Sequence, residues 1–564
     1  MQNIRNIMNA DRKTKLIWII NYIVIPVIMI IILYDSNFMH GLIDHFEAGK
    51  EVVCVNELFQ GKLLYKDTLP YFGPLSTYLQ SFFMFLFGKN LLVLRGFFYF
   101  GTIFTLLVGY FMACRLCQRK FFAYIAALLL IVETYHPFWA TRWGGLRFGL
   151  GLLAIWCLII FFEKKKNIWL FFSGVFSSIT FLVTLDTGVL SFASIGLTLS
   201  FCIFYSYLQS KRLNFRILVF FVCGALTILI PFLVYFILIK SLIPYFNTIL
   251  TIAINHPKVW SGGQGLPDFR ELFHFTHLYT MGFKQVIPVL LYLFSGIYLI
   301  HRVFKKTMSW KDHGIMVLSI YGLLMYIASS RALQGPQFQM GLQPFIILWF
   351  VFLDKVFQRI SDFYKQRSWD IFDFKYIAIL VIFLLMISYS LISEKRFYGT
   401  FKNWFLYQEH KEDVMPMYLN FVPLYTFDSR LLNIPRAKGI RVPSEQAEEM
   451  ERVTEYIISV TKPGEPVFAF PEHSIYNFLA DRPCIDRFGI PGVAWTTEEW
   501  REELLVDLKK VNPRYIIYGT RLSIMAKCIN RKEELLPDVI SYIRMHYHKE
   551  VSFGAIAILK RNKF

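Results

Sequence analysis

No metal-type spacing links the eight cysteines of this chain, so they form neither a zinc site nor a disulfide scaffold. Cys114-x-x-Cys117 comes nearest to such a pattern; it lies where an apolar run meets a basic loop and reads as two small packing residues. His256, His274 and His277 make no metal-ligand set. No Gly-rich phosphate loop follows the strands expected near the C-terminus, which excludes a nucleotide domain built on one. One half of the sequence does not repeat the other, and that counts against a secondary transporter. Charge is scarce as well. Charged residues make up 18% of the chain against 55% hydrophobic, and the mean hydropathy of +0.45 is too high for an ordinary soluble protein.

What is present suits a bilayer. The 58 phenylalanines and an aromatic share of 18% fit lipid-facing helices and interfacial belts. A net charge of +19 would suggest nucleic acid in a soluble protein, but here the basic residues fall in short loops between apolar runs. That placement orients a protein in a membrane, and nucleic acid is not an expected partner.

Runs long enough to span lie near 16–34, 91–113, 121–138, 146–162, 168–185, 187–207, 217–240, 285–301, 314–328, 338–353 and 376–393. Asp186 and Gly188 interrupt the fifth and sixth. Alternate loops carry the basic clusters, among them Arg115/Arg119/Lys120, Lys164 to Lys166, Lys211/Arg212/Arg216 and Lys355/Arg359. By the positive-inside tendency these loops are cytoplasmic, giving eleven spans with the N-terminus inside and the C-terminus outside. The first run is too long for a cleaved signal, and no small-residue cleavage site follows it. Loops 35–90, 134–146, 241–284 and 329–337 then lie outside; the third is Gly-rich from His256 to Pro267 and reads as a lid. The stretch 75–87 is too short to span and reads as a helix at the interface.

The expected organisation is a transmembrane domain over 1–393, a linker over 394–439 and a small extracytoplasmic α/β domain over 440–564. In the last, a helix over Ser444 to Ser459 precedes a strand at Pro466 to Phe470. Thr496-x-x-Glu499 is a capping-box signature for a second helix, and strands follow at Arg514 to Tyr518 and within Glu550 to Leu559. Cys484 and Cys528 are the pair an oxidising compartment could join.

The costly polar groups cluster after the first span, in Asp44-His-Phe-Glu47-Ala-Gly-Lys-Glu51, then Gly61-Lys-Leu-Leu-Tyr65-Lys66-Asp67, then Gly73-Pro74-Leu75 and Phe87-Gly88. This order resembles the first external loop of the C-type (GT-C) glycosyltransferases that use polyprenyl-phosphate sugars. The resemblance continues through the span count, the outer arginines and the small outer domain. It implies a GT-C-like helical membrane fold, transfer with inversion, and a general base at Glu47, where the family usually has Asp followed by another acid. Here Ala48 follows, so the metal-independent members, such as protein mannosyltransferases and lipid A aminoarabinose transferases, are the better comparison and no cofactor is expected.

Glycosyl transfer needs a carboxylate to deprotonate the acceptor, cations to stabilise the leaving phosphate and an apolar groove for the lipid tail. Glu47 fits the first role; its alternative is a solvated carboxylate beside His45 and Lys50. Asp67 takes the second acidic position of the pattern, or closes an ordinary turn with Lys66. Glu51 and Glu57, on the same short helix, read as solvated. Arg142, Arg147 and Arg331 are external despite the positive-inside bias, so they bind phosphate or snorkel to headgroups. Arg95 reads as a tie between the interfacial helix and the next span. Asp186 contacts substrate or caps a broken helix, and Gln339 stands where related sequences place donor-sugar contacts. The expected partners are a polyprenyl-phosphate sugar, membrane lipids and a glycan, lipid or protein acceptor. A polysaccharide polymerase and a flippase of lipid-linked sugars are the competing readings.

Overall fold

The computed structural model describes residues 12–33, 41–70, 72–134, 145–211, 213, 215–259, 281–329, 341–366, 429–520 and 536–562. The first helix runs as α1 (Arg12–Ile19), a π turn (Ile20–Val24) and α2 (Ile25–Leu33). Asn21 within the π turn is buried, and Tyr110 and Tyr124 donate to its backbone oxygen and its side-chain oxygen. The irregular backbone is therefore satisfied by neighbouring helices rather than by lipid.

Then come α3 (His45–Phe59), α4 (Pro74–Phe87), α5 (Leu91–Leu116), α6 (Lys120–Thr134), α7 (Leu146–Lys164), α8 (Ile168–Val183) and α9 (Leu185–Ser210). They are followed by α10 (Arg216–Leu238), α11 (Leu242–Val259), α12 (Met281–Phe304), α13 (Trp310–Ser329) and α14 (Gln343–Gln366). Among the described residues, six helices are long and apolar enough to cross a membrane by length and composition, and four apolar helices are shorter. The predicted run 376–393, Cys528, and the Gly-rich segment 260–267 lie outside the described residues.

The expectation of an outer loop over 241–284 needs correction, because Leu242–Val259 is a helix. Its Tyr245 packs edge-on against Tyr65, with ring centroids 4.9 Å apart, and both rings are buried.

Small residues allow the closest helix approach. A Cβ at Gly174 of α8 would meet the Phe221 oxygen at 2.0 Å, and one at Gly224 of α10 would meet the Phe171 oxygen at the same distance. Ser178 Oγ donates to the Ala225 oxygen across that contact. Buried Asp312 accepts from Tyr298, Ser309 and Arg302, clamping α12 to α13.

The described C-terminal unit begins with β1 (Ser429–Leu431), ahead of the expected boundary at 440, and β1 pairs antiparallel with β2 (Arg441–Pro443). Next are α15 (Ser444–Val460), β3 (Phe468–Phe470), α16 (Ile475–Ala480), α17 (Glu498–Val511), β4 (Tyr515–Gly519), α18 (Pro537–His546), β5 (Tyr547–Phe553) and β6 (Ile556–Arg561). The sheet order is β3-β4-β6-β5, with β3 and β4 parallel and the other pairs antiparallel. Thr497, not Thr496, caps α17, its hydroxyl accepting from the Trp500 amide.

This unit is packed against α3 and the segment leading into it. Val52 and Val55 of α3 share one core with Ile475 and Phe478 of α16 and with Ile558 of β6. Fully burying each valine contributes roughly 1.5–3 kcal/mol. Gly49 allows the contact, since a Cβ there would sit 3.2 Å from the Ile475 nitrogen. Polar ties join in: Arg436 donates to Asn56 Oδ1, and Gln446 exchanges hydrogen bonds with the Ile43 backbone. Arg95 donates to the Leu42 and Gly41 oxygens, so it fixes the segment leading into α3 to α5, rather than α4 to α5 as expected.

Candidate active site

Helix α3 starts where Asp44 caps it, its carboxylate accepting from the Glu47 amide at 2.8 Å. Glu47 therefore stands in the first turn. Its side chain is 17% exposed, and its carboxylate lies 2.5 Å from Lys50 Nζ one turn on. Lys50 is buried, and its ammonium sits 5.3 Å from the Phe46 ring centroid and 5.1 Å from that of Phe72. An ammonium so far out of water is held by its ion pair and by the ring faces.

Phe72 is shared. The guanidinium carbon of Arg147, in the first turn of α7, lies 5.7 Å from the centroid of that same ring. Arg147 also pairs with Asp186 in the first turn of α9. Glu47, Lys50, Arg147 and Asp186 thus form a row of two ion pairs whose cationic members both face one aromatic side chain. Beside it opens a small, water-sized cleft lined by Phe72, Ser76, Phe97, Arg147 and Thr184, among others.

The cleft exists because α4 begins tight against the end of α8. The Gly73 amide donates to the Val183 oxygen at 2.9 Å, and a Cβ on Gly73 would lie 2.2 Å from the Leu182 oxygen. Gly73→Ala is expected to push α4 away and destabilise the protein by roughly 1–3 kcal/mol. Gly196→Ala, in the interior of α9 where a Cβ meets nothing within 4 Å, should not destabilise and should gain up to about 1 kcal/mol. Thermal unfolding in detergent compares the two.

Of the residues singled out in the sequence, the structure brings Glu47, Arg147 and Asp186 together around Phe72. Asp67 lies apart from that row. Its carboxylate accepts from the Leu63 amide at 3.0 Å and closes the turn that carries Tyr65, whose hydroxyl donates to the Phe72 oxygen. Arg142, Arg331 and Gln339 lie outside the described residues.

Glu51 and Glu57 are buried rather than solvated, because α4 and the C-terminal unit cover α3. Glu57 pairs with Lys62 Nζ at 2.5 Å. Glu51 accepts from Gln80 Nε2 at 2.9 Å, and burial pushes its carboxyl up to about 7. Sequence reasoning also missed Lys50 as a pivot of the site. Its spacing of three from Glu47 on one helix was the available signal.

His45 and His473 join α3 to the C-terminal unit, their Nδ1 atoms 2.9 Å apart, so one ring donates and the other accepts. Burial lowers His45 to about 4 and His473 to about 3. The unfolded chain then binds more protons below about pH 6.5, so their stabilisation is present above that pH and lost progressively as pH falls toward about 4. His473→Gln should remove part of this acid sensitivity. Unfolding midpoints at pH 7 and pH 5 test it, and an unchanged difference between the two pH values would refute it.

The arrangement can take a proton at Glu47 and neutralise an oxyanion at Arg147, with apolar walls for an attached chain. Among the described residues, no group of three or more His, Cys, Asp or Glu could hold a metal ion.

No protein-family profile matches the chain, and no curated protein matches it in sequence. Solved structures share the fold of this chain. ArnT from Cupriavidus metallidurans bound to undecaprenyl phosphate matches with a TM-score of 0.52 at 13% identity, over 96% of this chain and 97% of that one. Its apo form matches with a TM-score of 0.52 at 14% identity, over 95% and 97%. The oligosaccharyltransferase AglB from Archaeoglobus fulgidus, solved with an inhibitory peptide and a dolichol-phosphate, gives a TM-score of 0.47 at 12% identity, over 97% and 75%.

Proposed function

We propose that this chain is an integral-membrane glycosyltransferase that moves a sugar from a polyprenyl-phosphate donor to a glycan, lipid or protein acceptor, with inversion at the anomeric carbon. The observation that carries the reading is the placement of the Glu47–Lys50 pair and the Arg147–Asp186 pair against one ring at the mouth of a cleft. The fold shared with a protein solved with undecaprenyl phosphate supports the choice of donor. In the transfer step the acceptor hydroxyl gives its proton to Glu47 while its oxygen bonds to the anomeric carbon. The bond from that carbon to the phosphate oxygen breaks, its electron pair leaves with the lipid phosphate, and Arg147 neutralises the charge. Asp67 supports the site by holding the loop that ends at Phe72. Residues Arg142, Arg331 and Gln339 are proposed to complete donor binding.

The site lies on the outer face of the cytoplasmic membrane in an eleven-span topology with the N-terminus inside, a placement supported by the basic loops. A single carboxylate followed by Ala48 supports a reaction without metal. The test uses the full chain in native membranes with a labelled polyprenyl-phosphate sugar. Transfer of label that persists in a chelator is expected. If neither transfer nor saturable binding of undecaprenyl phosphate is found, the reading is wrong.

A further inference from the structure

We infer that Ser76 is a hydroxyl donor to a phosphate oxygen of the lipid in the cleft, aimed there by Gln80 and the buried carboxyl of Glu51. This deepens the function proposed above and rests on it. Ser76 sits in the first turn of α4, is 3% exposed and forms part of the cleft wall next to Arg147. The Gln80 amide nitrogen reaches two oxygens at once, Glu51 Oε2 at 2.9 Å and Ser76 Oγ at 3.1 Å. Both amide hydrogens are thereby used, and Ser76 Oγ is an acceptor toward the protein. A serine hydroxyl has one hydrogen to give. Among the described residues that hydrogen has no acceptor. Leaving it unused in a nearly dry wall would cost free energy, and the open direction is the cleft.

Glu51 explains the orientation. As a carboxylate its Oε2 can only accept, so the Gln80 amide nitrogen faces it in that state. Ser76 is then held as an acceptor for Gln80 and a donor outward. The second hydroxyl on the cleft wall behaves differently. Thr184 Oγ1 is engaged at 2.6 Å with Thr187 Oγ1 at the start of α9. With Arg147 supplying charge and Ser76 a directed hydrogen, the cleft offers an oxyanion two kinds of contact from different helices.

The test measures binding of undecaprenyl phosphate, undecaprenol and inorganic phosphate to the full chain in detergent, for wild type, Ser76→Ala, Ser76→Thr and Gln80→Met. Ser76→Ala is expected to weaken undecaprenyl phosphate binding by roughly 10- to 100-fold, the loss of one hydrogen bond to a charged group. Undecaprenol binding should be unchanged. Ser76→Thr should restore affinity, Gln80→Met should weaken it in the same direction, and Ser76→Ala, which also leaves a buried Gln80 amide hydrogen without its acceptor, should melt somewhat lower while still folding. Inorganic phosphate should not compete, which separates a lipid headgroup from a free-phosphate site. Ser76→Ala binding as tightly as a competent wild type overturns this assignment alone. A wild type that binds no undecaprenyl phosphate removes the proposed function and this assignment with it.

Discussion

Glu47→Gln is expected to lower sugar transfer by roughly 10²- to 10⁴-fold, the usual contribution of a positioned general base. Affinity for undecaprenyl phosphate should change little, because the phosphate partner is Arg147 on another helix. The substitution leaves the helix start intact, since Asp44 caps the backbone amide of residue 47 rather than its side chain. It also keeps a polar neighbour for buried Lys50. Glu47→Asp should recover part of the rate, limited by the shorter reach of its carboxylate. Single-turnover transfer and donor binding, measured on the same preparations, separate chemistry from recognition. A Glu47→Gln protein working at the full rate would remove this residue from the mechanism.

Arg147→Ala is expected to weaken undecaprenyl phosphate binding by roughly 30-fold or more, as truncation of a hydrogen-bonded charge pair usually does. Arg147→Lys should recover only part of the loss, because an ammonium lacks the planar fork that holds two oxygens. Asp186→Asn provides the opposite sign. In the structure Asp186 occupies the guanidinium that the phosphate would use, and its side chain is 42% exposed. Removing its charge should therefore tighten phosphate binding without unfolding the protein. Titration of the three variants with undecaprenyl phosphate decides between the roles. If Arg147→Ala binds like wild type, this arginine only anchors α7 to α9.

Apolar run length and the alternation of basic loops located helices at ten of the eleven predicted spans, and the remaining run lies outside the described residues. Those features are local or periodic, so they are legible in one chain. That Glu47 shares a short helix with Glu51 and Glu57 was legible for the same reason, whereas the Asp44 cap that puts it in the first turn emerged from the structure. What sequence could not display was depth. Glu51 and Glu57 read as solvated because nothing within their own loop covers them; Gln80 meets Glu51 from α4, while Ile475 and Phe478 close over the helix from more than 400 positions away. The same long reach explains Phe72. Its ring gains meaning only when Lys50 and Arg147 arrive from separate helices. Helix α11 was missed for a different reason, since its interrupted hydropathy resembles a loop until Tyr65 and Phe236 supply the surface it packs on.

The burial of α3 beneath the C-terminal unit bears on how this chain can be recombined. A chimaera that grafts a foreign C-terminal unit onto these helices would strip Gln446 from Ile43, Arg436 from Asn56 and Ile475 from Gly49 together. The C-terminal unit and the segment around α3 are therefore expected to be exchangeable only as one cassette.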